Sequence, residues 1–189
     1  MIKIYRAVKS NLLRQGFGLE NTFPALLPLY QSLGLKGHDG WDWMVTCKDY
    51  SVQLGGQCEK VYCDLAEGAT ITYIAKDVKT GFGIIAIDTD GDKHLWWHFD
   101  SIRSDLIVGS KINGGDVLGV AGNTGYSTGA HLHRGYYRYD EPYDNGYHGA
   151  VDMTPYFQNI FILDFITQLQ QKIGILQMLI NLWHKITGK

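Results

Sequence analysis

The stretch from Val117 to Tyr137, VLGVAGNTGYSTGAHLHRGYY, holds two candidate strands, Val117 to Ala121 and Leu132 to Tyr137. Between them lies a loop in a stretch where glycine occupies positions 114, 115, 119, 122, 125 and 129. Working outward, Ile71 to Ala75, Phe82 to Asp88 and Lys93 to Phe99 are further β-branched or aromatic runs. DTDGD separates the last two, and its Asp90-Gly91 step is a hairpin signal. No helix-period segment interrupts Lys36 to Tyr156, which argues against a parallel βαβ sheet. The expected architecture is therefore mainly β.

The flanks differ. Residues 1–36 mix short apolar runs with Gly16, Gly18, Pro24 and Pro28 and read as an irregular approach segment. Residues 37–156 form the β domain. Residues 157–189 read as a C-terminal amphipathic helix, because Ile162, Ile166, Leu169, Ile173, Leu176, Ile180 and Trp183 step by four and three. Phe161, Phe165, Ile175, Leu179, Leu182 and Ile186 widen that face, while Asp164, Lys172 and Lys185 interrupt it. No uncharged run reaches the roughly 18 residues of a spanning helix. The expectation is a helix docked on its own domain or on a second copy, with contact to a membrane surface or a virion component as the other uses of such a face.

Composition narrows the function. In 189 residues, 17 basic and 19 acidic side chains give a formal charge of −2, no footprint for a nucleic-acid binder. At 45% hydrophobic and 19% charged, the chain can bury a core. The 12 tyrosines and five tryptophans suit strands or an aromatic-lined groove, and Tyr136, Tyr137, Tyr139, Tyr143 and Tyr147 lean toward the groove. Three cysteines, Cys47, Cys58 and Cys63, lack C-x-x-C spacing. One disulfide would have three possible pairings, and buried free thiols are the expectation. MIKIYRAVKSNLLRQGFG shows neither an apolar h-region nor a small-residue cleavage site, so a secretory signal is not expected.

Four of the seven histidines fall in GHDGWDW (His38, with Asp42), LWWHFD (His98) and GAHLHRG (His131, His133). On a strand, His131 and His133 point to one face. His38 and Asp42 sit on a glycine-containing turn that can aim both at one point. Two imidazoles and one carboxylate leave a fourth position open, the form of a catalytic zinc site. A remaining histidine would serve acid–base chemistry. Two other patterns are decoys. G-Y-S-T-G at 125–129 imitates a nucleophile elbow but is followed by a strand. GFGIIA at 81–86 imitates a dinucleotide fingerprint but opens no helix.

H-x-x-x-D, a histidine after an aromatic strand, and GNTGYSTGAHLH together resemble the M23 family of zinc metallopeptidases, the LytM or lysostaphin type. GLKGHDGWDW, KTGFGIIAID, VGSKINGGDVLGVAGNTGYSTGAHLH and GAVDMTPYF support it, over about Gly16 to Tyr156. QGFG and GLKGHDGWDW are most similar to phage-borne members. The resemblance implies antiparallel β-sheets, one zinc ion per chain held by His38, Asp42 and His133, and His98 and His131 as catalytic histidines. It implies a zinc endopeptidase acting on peptides of bacterial peptidoglycan, as a phage lysin or virion-associated wall hydrolase that is virion-borne or released after membrane disruption. The alternative is a catalytically silent, zinc-holding wall-binding module. Three features depart from the family: Arg134 and Gly135 follow HLH, Thr46 to Leu65 is a long, cysteine-bearing candidate specificity loop, and the C-terminal helix is additional.

Overall fold

In a computed structural model that describes residues 2–48, 58–77 and 79–187, the chain is mainly antiparallel β with one long C-terminal helix. The central sheet is built on β5 (Ala69–Asp77), β6 (Gly81–Ile87) and β7 (Lys93–Ile102), three consecutive antiparallel strands. The turn expected at Asp90-Gly91 joins the last two, with Gly91 at φ +88°. β10 (His131–Tyr137) lies beside β7, then β3 (Trp41–Met44) and β2 (Leu13–Gln15), while β8 (Lys111–Ile112) edges β5. β9 (Val117–Ala121) pairs both β7 and β4 (Lys60–Tyr62). Period-2 alternation buries Ile71, Ile84, Ala86, Trp96, Leu118 and Leu132 in one core.

The first 36 residues are more ordered than their punctuation suggests. β1 (Ile4–Arg6) pairs in parallel with β11 (Phe157–Phe161), and β2 joins the central sheet through β3. Two 3-10 turns and the short α1 (Leu27–Ser32) follow. Long-range pairing overrides the weak local signal here. The expected irregular segment is thus part of the domain.

Residues 157–161 are strand, so the helix expected from 157 begins at Ile162 and runs as α2 (Ile162–Thr187). Its first turns are anchored: Ile162 is fully buried and Phe165 stacks on Tyr5 with ring centroids 4.3 Å apart. Beyond Ile166 the docking ends. Leu169, Ile173, Ile175, Leu176, Met178 and Trp183 are all more than 40% exposed, which corrects the expectation of a helix laid on its own domain. Among the described residues, no helix is long and apolar enough to cross a membrane.

The expectation of three free thiols is also corrected. Cys47 and Cys58 face each other across an isolated antiparallel bridge and form a disulfide. Cys63 is free and buried, and burial pushes its thiol up to about 12. Residues 49–57 of the candidate specificity loop lie outside the described residues.

Arg134, where the chain departs from the family pattern, points away from His133 into the core. It is fully buried, donates through Nε and Nη2 to Asp64 (2.9 and 3.1 Å), and lies over the Trp96 ring at 4.3 Å. Its Nη2 also reaches His94 Nδ1 (2.9 Å), which leaves the proton of this imidazole on Nε2, donated to Asp88 (2.8 Å). Burial depresses the His94 pKa, in keeping with a neutral ring.

Candidate metal centre

Strand pairing brings the site together. Asp42 on β3 and His133 on β10 are direct cross-strand partners, so their side chains emerge on one face. His38 precedes β3 by a tight turn at Gly40, where an added Cβ would stand 2.7 Å from both His133 Cε1 and the Arg134 carbonyl. Only glycine permits that approach. His38 Nε2 lies 3.1 Å from His133 Nδ1 and 3.2 Å from Asp42 Oδ1, and His133 Nδ1 lies 2.9 Å from Asp42 Oδ1. Their side chains are 1%, 13% and 12% exposed for His38, Asp42 and His133.

The donor set fits a divalent cation. His38 Nδ1 donates to the Gly16 carbonyl (2.8 Å), which assigns its lone pair to Nε2. His38 Nε2, His133 Nδ1 and Asp42 Oδ1 then converge on the single proton that His133 Nδ1 carries, and a metal would take that proton's place. Their spacing is close to the roughly 3.3 Å edge of a tetrahedron with bonds of about 2.0–2.1 Å. These three are the described residues whose ligand atoms meet this way.

Burial works against an ionised Asp42, but the hydrogen bond from His133, with the His38 imidazole also beside it, holds its carboxyl well below the ordinary range. Burial likewise opposes a charged His133, yet the hydrogen bond to Asp42 and its charge raise the imidazole above its usual value. In the metal-free chain, a proton therefore competes for Nδ1 from above the ordinary histidine range downward. Metal affinity should fall about tenfold per pH unit below that point, as one proton is displaced per ion bound. Zinc titrations at pH 8, 7, 6 and 5 check this, and an affinity flat to pH 5 would contradict it.

His98 and His131 face the same space. His98 Nδ1 donates to the Thr124 carbonyl and His131 Nδ1 to the Gly129 carbonyl, both at 2.7 Å, so both present an unprotonated Nε2. Burial lowers both pKa values, that of His98 to about 3, with His131 beside it as a further cause. His131 Nε2 stands 3.5 Å from Asp42 Oδ1, and the two rings are 4.6 Å apart. His98 reaches this face through a bulge. β7 advances from Trp97 to Phe99 while β6 advances from Gly83 to Phe82, and the extra residue His98 takes φ +70°.

All five residues singled out in the sequence are thus brought together. The groove around them, about 530 Å³, has walls the sequence did not announce. Phe23, Leu26, Leu29 and Tyr30 of the N-terminal segment form one side, Trp97 and Tyr126 part of the other. Tyr30 accepts a hydrogen bond from Gln15 (3.1 Å), and burial with the nearby Asp42 raises its hydroxyl pKa. Tyr136, Tyr137, Tyr139, Tyr143 and Tyr147 do not line the groove. Tyr136 is instead buried with its hydroxyl on Asp92, which corrects the aromatic-groove expectation for this run. Ser127 is no nucleophile, since its neighbour His131 Nδ1 (3.2 Å) is the protonated nitrogen bonded to Gly129.

A search of curated proteins finds no match. Among solved structures, the chain is similar to the catalytic domain of the antimicrobial peptidase lysostaphin from Staphylococcus simulans, with 22% identity and a TM-score of 0.53 over 76% of this chain and 90% of that one. It is similar to Helicobacter pylori Csd3 (17% identity, TM-score 0.55, 95% of this chain and 43% of that). It also resembles a zinc-containing peptidase from Vibrio cholerae (16% identity, TM-score 0.52, 80% of this chain and 39% of that). The chain spans less than half the length of the latter two, and at these identities the likeness establishes the fold. Residues 56–145, which carry His98, His131 and His133, match the model of peptidase family M23, and the fold sets His38 and Asp42, which precede that match, against its histidines.

Proposed function

We propose that this chain is a zinc-dependent endopeptidase that hydrolyses peptide bonds in peptidoglycan cross-links or stems. The observation that carries the reading is the convergence of His38 Nε2, Asp42 Oδ1 and His133 Nδ1 beside two imidazoles that both present a bare Nε2. His38, Asp42 and His133 would hold the ion, which when bound polarises a carbonyl and lowers the pKa of water toward about 7. His131 Nε2, unprotonated and facing the site, accepts a proton from the attacking water and returns it to the leaving amine. His98 Nε2 is likewise an acceptor, which suits it to orienting that water. Stabilising an oxyanion would require a proton this ring does not carry. Thr124 and Gly129 fix the tautomers through their carbonyls.

The test is release of soluble fragments and new amino groups from purified peptidoglycan, with zinc, with a chelator and with His133→Ala. New amines that disappear under the chelator and in the variant support the reading, and fragment masses name the bond. Zinc binding with no new amines across several wall chemistries would overturn it in favour of a silent wall-binding module. The likeness of QGFG and GLKGHDGWDW to phage-borne members supports a lysin or virion-associated setting, to be checked by mass spectrometry of purified particles.

The exposed part of α2 is, in this reading, a self-association element. Leu169, Ile173, Leu176, Ile180 and Trp183 keep a four–three spacing, and Ile175, Leu179 and Leu182 form a second seam beside it. Paired seams suit packing against further helices, here those of other copies. Sedimentation should show a concentration-dependent oligomer that Leu176→Glu converts to monomer without loss of turnover on a soluble peptide. A monomer that instead binds lipid vesicles would reassign the helix to a membrane surface.

A further inference from the structure

Arg14 lies on the wall of the groove, on β2, next to the Gln15 that pairs with Asp42 across the sheet. The other charged side chains lining the groove, apart from the histidines, are Asp39 and Asp42. Among the described residues, Arg14 has no carboxylate or hydrogen-bond partner, although other exposed arginines find one nearby: Arg103 pairs with Asp105 and Arg138 with Asp140, both at 2.7 Å. Its guanidinium nevertheless has an aromatic neighbour. Cζ sits 5.8 Å from the centre of the Phe23 ring, within cation–π reach, and that contact occupies none of its N–H groups. Nη1 lies 3.8 Å from where a Cβ on Gly129 would stand, so the charge reaches the loop that carries His131.

An arginine whose N–H groups have no protein partner, alone among acids in a groove, offers the paired donors that a carboxylate accepts bidentately. We propose that Arg14 is the substrate-selecting residue of this groove and that it takes peptides bearing a free carboxylate near the bond to be cut. The proposal rests on the endopeptidase reading for the word substrate, but the binding site stands on its own geometry. Leu26, Leu29 and Leu33 of the groove lining offer no donor, and donors such as Gln15, Ser127 and Thr128 are uncharged, so the charge-assisted pair for a carboxylate is the one Arg14 supplies. A carboxamide of the same shape would lose the charge-assisted pair.

The experiment uses two synthetic peptides identical except that one carboxylate is replaced by a carboxamide. Binding is measured by calorimetry to the full zinc-loaded chain carrying His131→Ala, with and without Arg14→Ala or Arg14→Lys. The carboxylate peptide should bind about tenfold more tightly than the amide. Arg14→Ala should erase that ratio with zinc affinity unchanged, and Arg14→Lys should restore only part of it. Equal binding of the two peptides, no measurable binding of either, or a ratio that survives Arg14→Ala would each overturn the proposal. Turnover of the same pair by the chain with His131 intact separates the two readings. Discrimination in binding without cleavage of either peptide would sink the endopeptidase and leave the carboxylate site standing.

Discussion

His131→Ala is expected to reduce turnover on peptidoglycan by about 10²–10⁴-fold while leaving zinc bound, whereas His133→Ala should lose both zinc and turnover. The two histidines are separated by one residue and share a strand face, so local sequence offers no reason for different outcomes. Their ring nitrogens do. His133 turns Nδ1 toward Asp42 and His38 and would be a ligand, while His131 commits Nδ1 to Gly129 and offers only Nε2, 3.5 Å from Asp42. Removing His133 deletes one of three donors, so the fall in zinc affinity should exceed the 10–100-fold typical of losing an outer partner. Removing His131 leaves all three donors intact. Zinc content by atomic spectroscopy, measured beside amine release, checks both. Retention of full zinc affinity in His133→Ala would mean that the three-donor assignment is wrong.

Asp64→Asn should destabilise the fold by about 3–5 kcal/mol, because it leaves the Arg134 guanidinium charged and unpaired among Trp96 and the core. The side chains of this pair are 2% and 1% exposed, so water cannot replace the lost carboxylate. Asp140→Asn serves as the control. Its partner Arg138 and Asp140 itself are 43% and 48% exposed, and such surface pairs contribute about 0–1 kcal/mol. Urea unfolding followed by tryptophan fluorescence gives both values. A loss below 1 kcal/mol for Asp64→Asn would show that the core rehydrates around Arg134. The pair also bears on the site, since Arg134 adjoins His133 and its strand neighbours are Trp41 and Trp96, on the strands of Asp42 and His98.

Some of this could be read from the sequence because it is written in local runs and periods. The β-branched and aromatic runs Phe82 to Asp88 and Lys93 to Phe99 correspond to the strands Gly81–Ile87 and Lys93–Ile102, and the hairpin between them follows from Asp90-Gly91. The strand period of two sets His131 and His133 on one face, and the four–three spacing from Ile162 onward gives α2. That His38, Asp42, His98, His131 and His133 belong together was legible from residue types in recurring motifs, not from any local period.

The tertiary structure decided what period and motif leave open. Strict alternation would put His98 on the far face with His94 and Trp96, and only the bulge at φ +70° turns it into the groove. The N-terminal segment reads as irregular, yet β2 carries Gln15 and Arg14 to the groove because β3 is there to pair with it. Cys47 finds Cys58 rather than Cys63 because an isolated antiparallel bridge sets the first two opposite each other while Cys63 is buried. Arg134 looks like a departure beside the metal ligand until the opposite pleat buries it on Asp64. A side chain's face follows from its neighbours in sequence. What it meets there is set by pairings across tens of residues, whose free energy exists only once the sheet has formed.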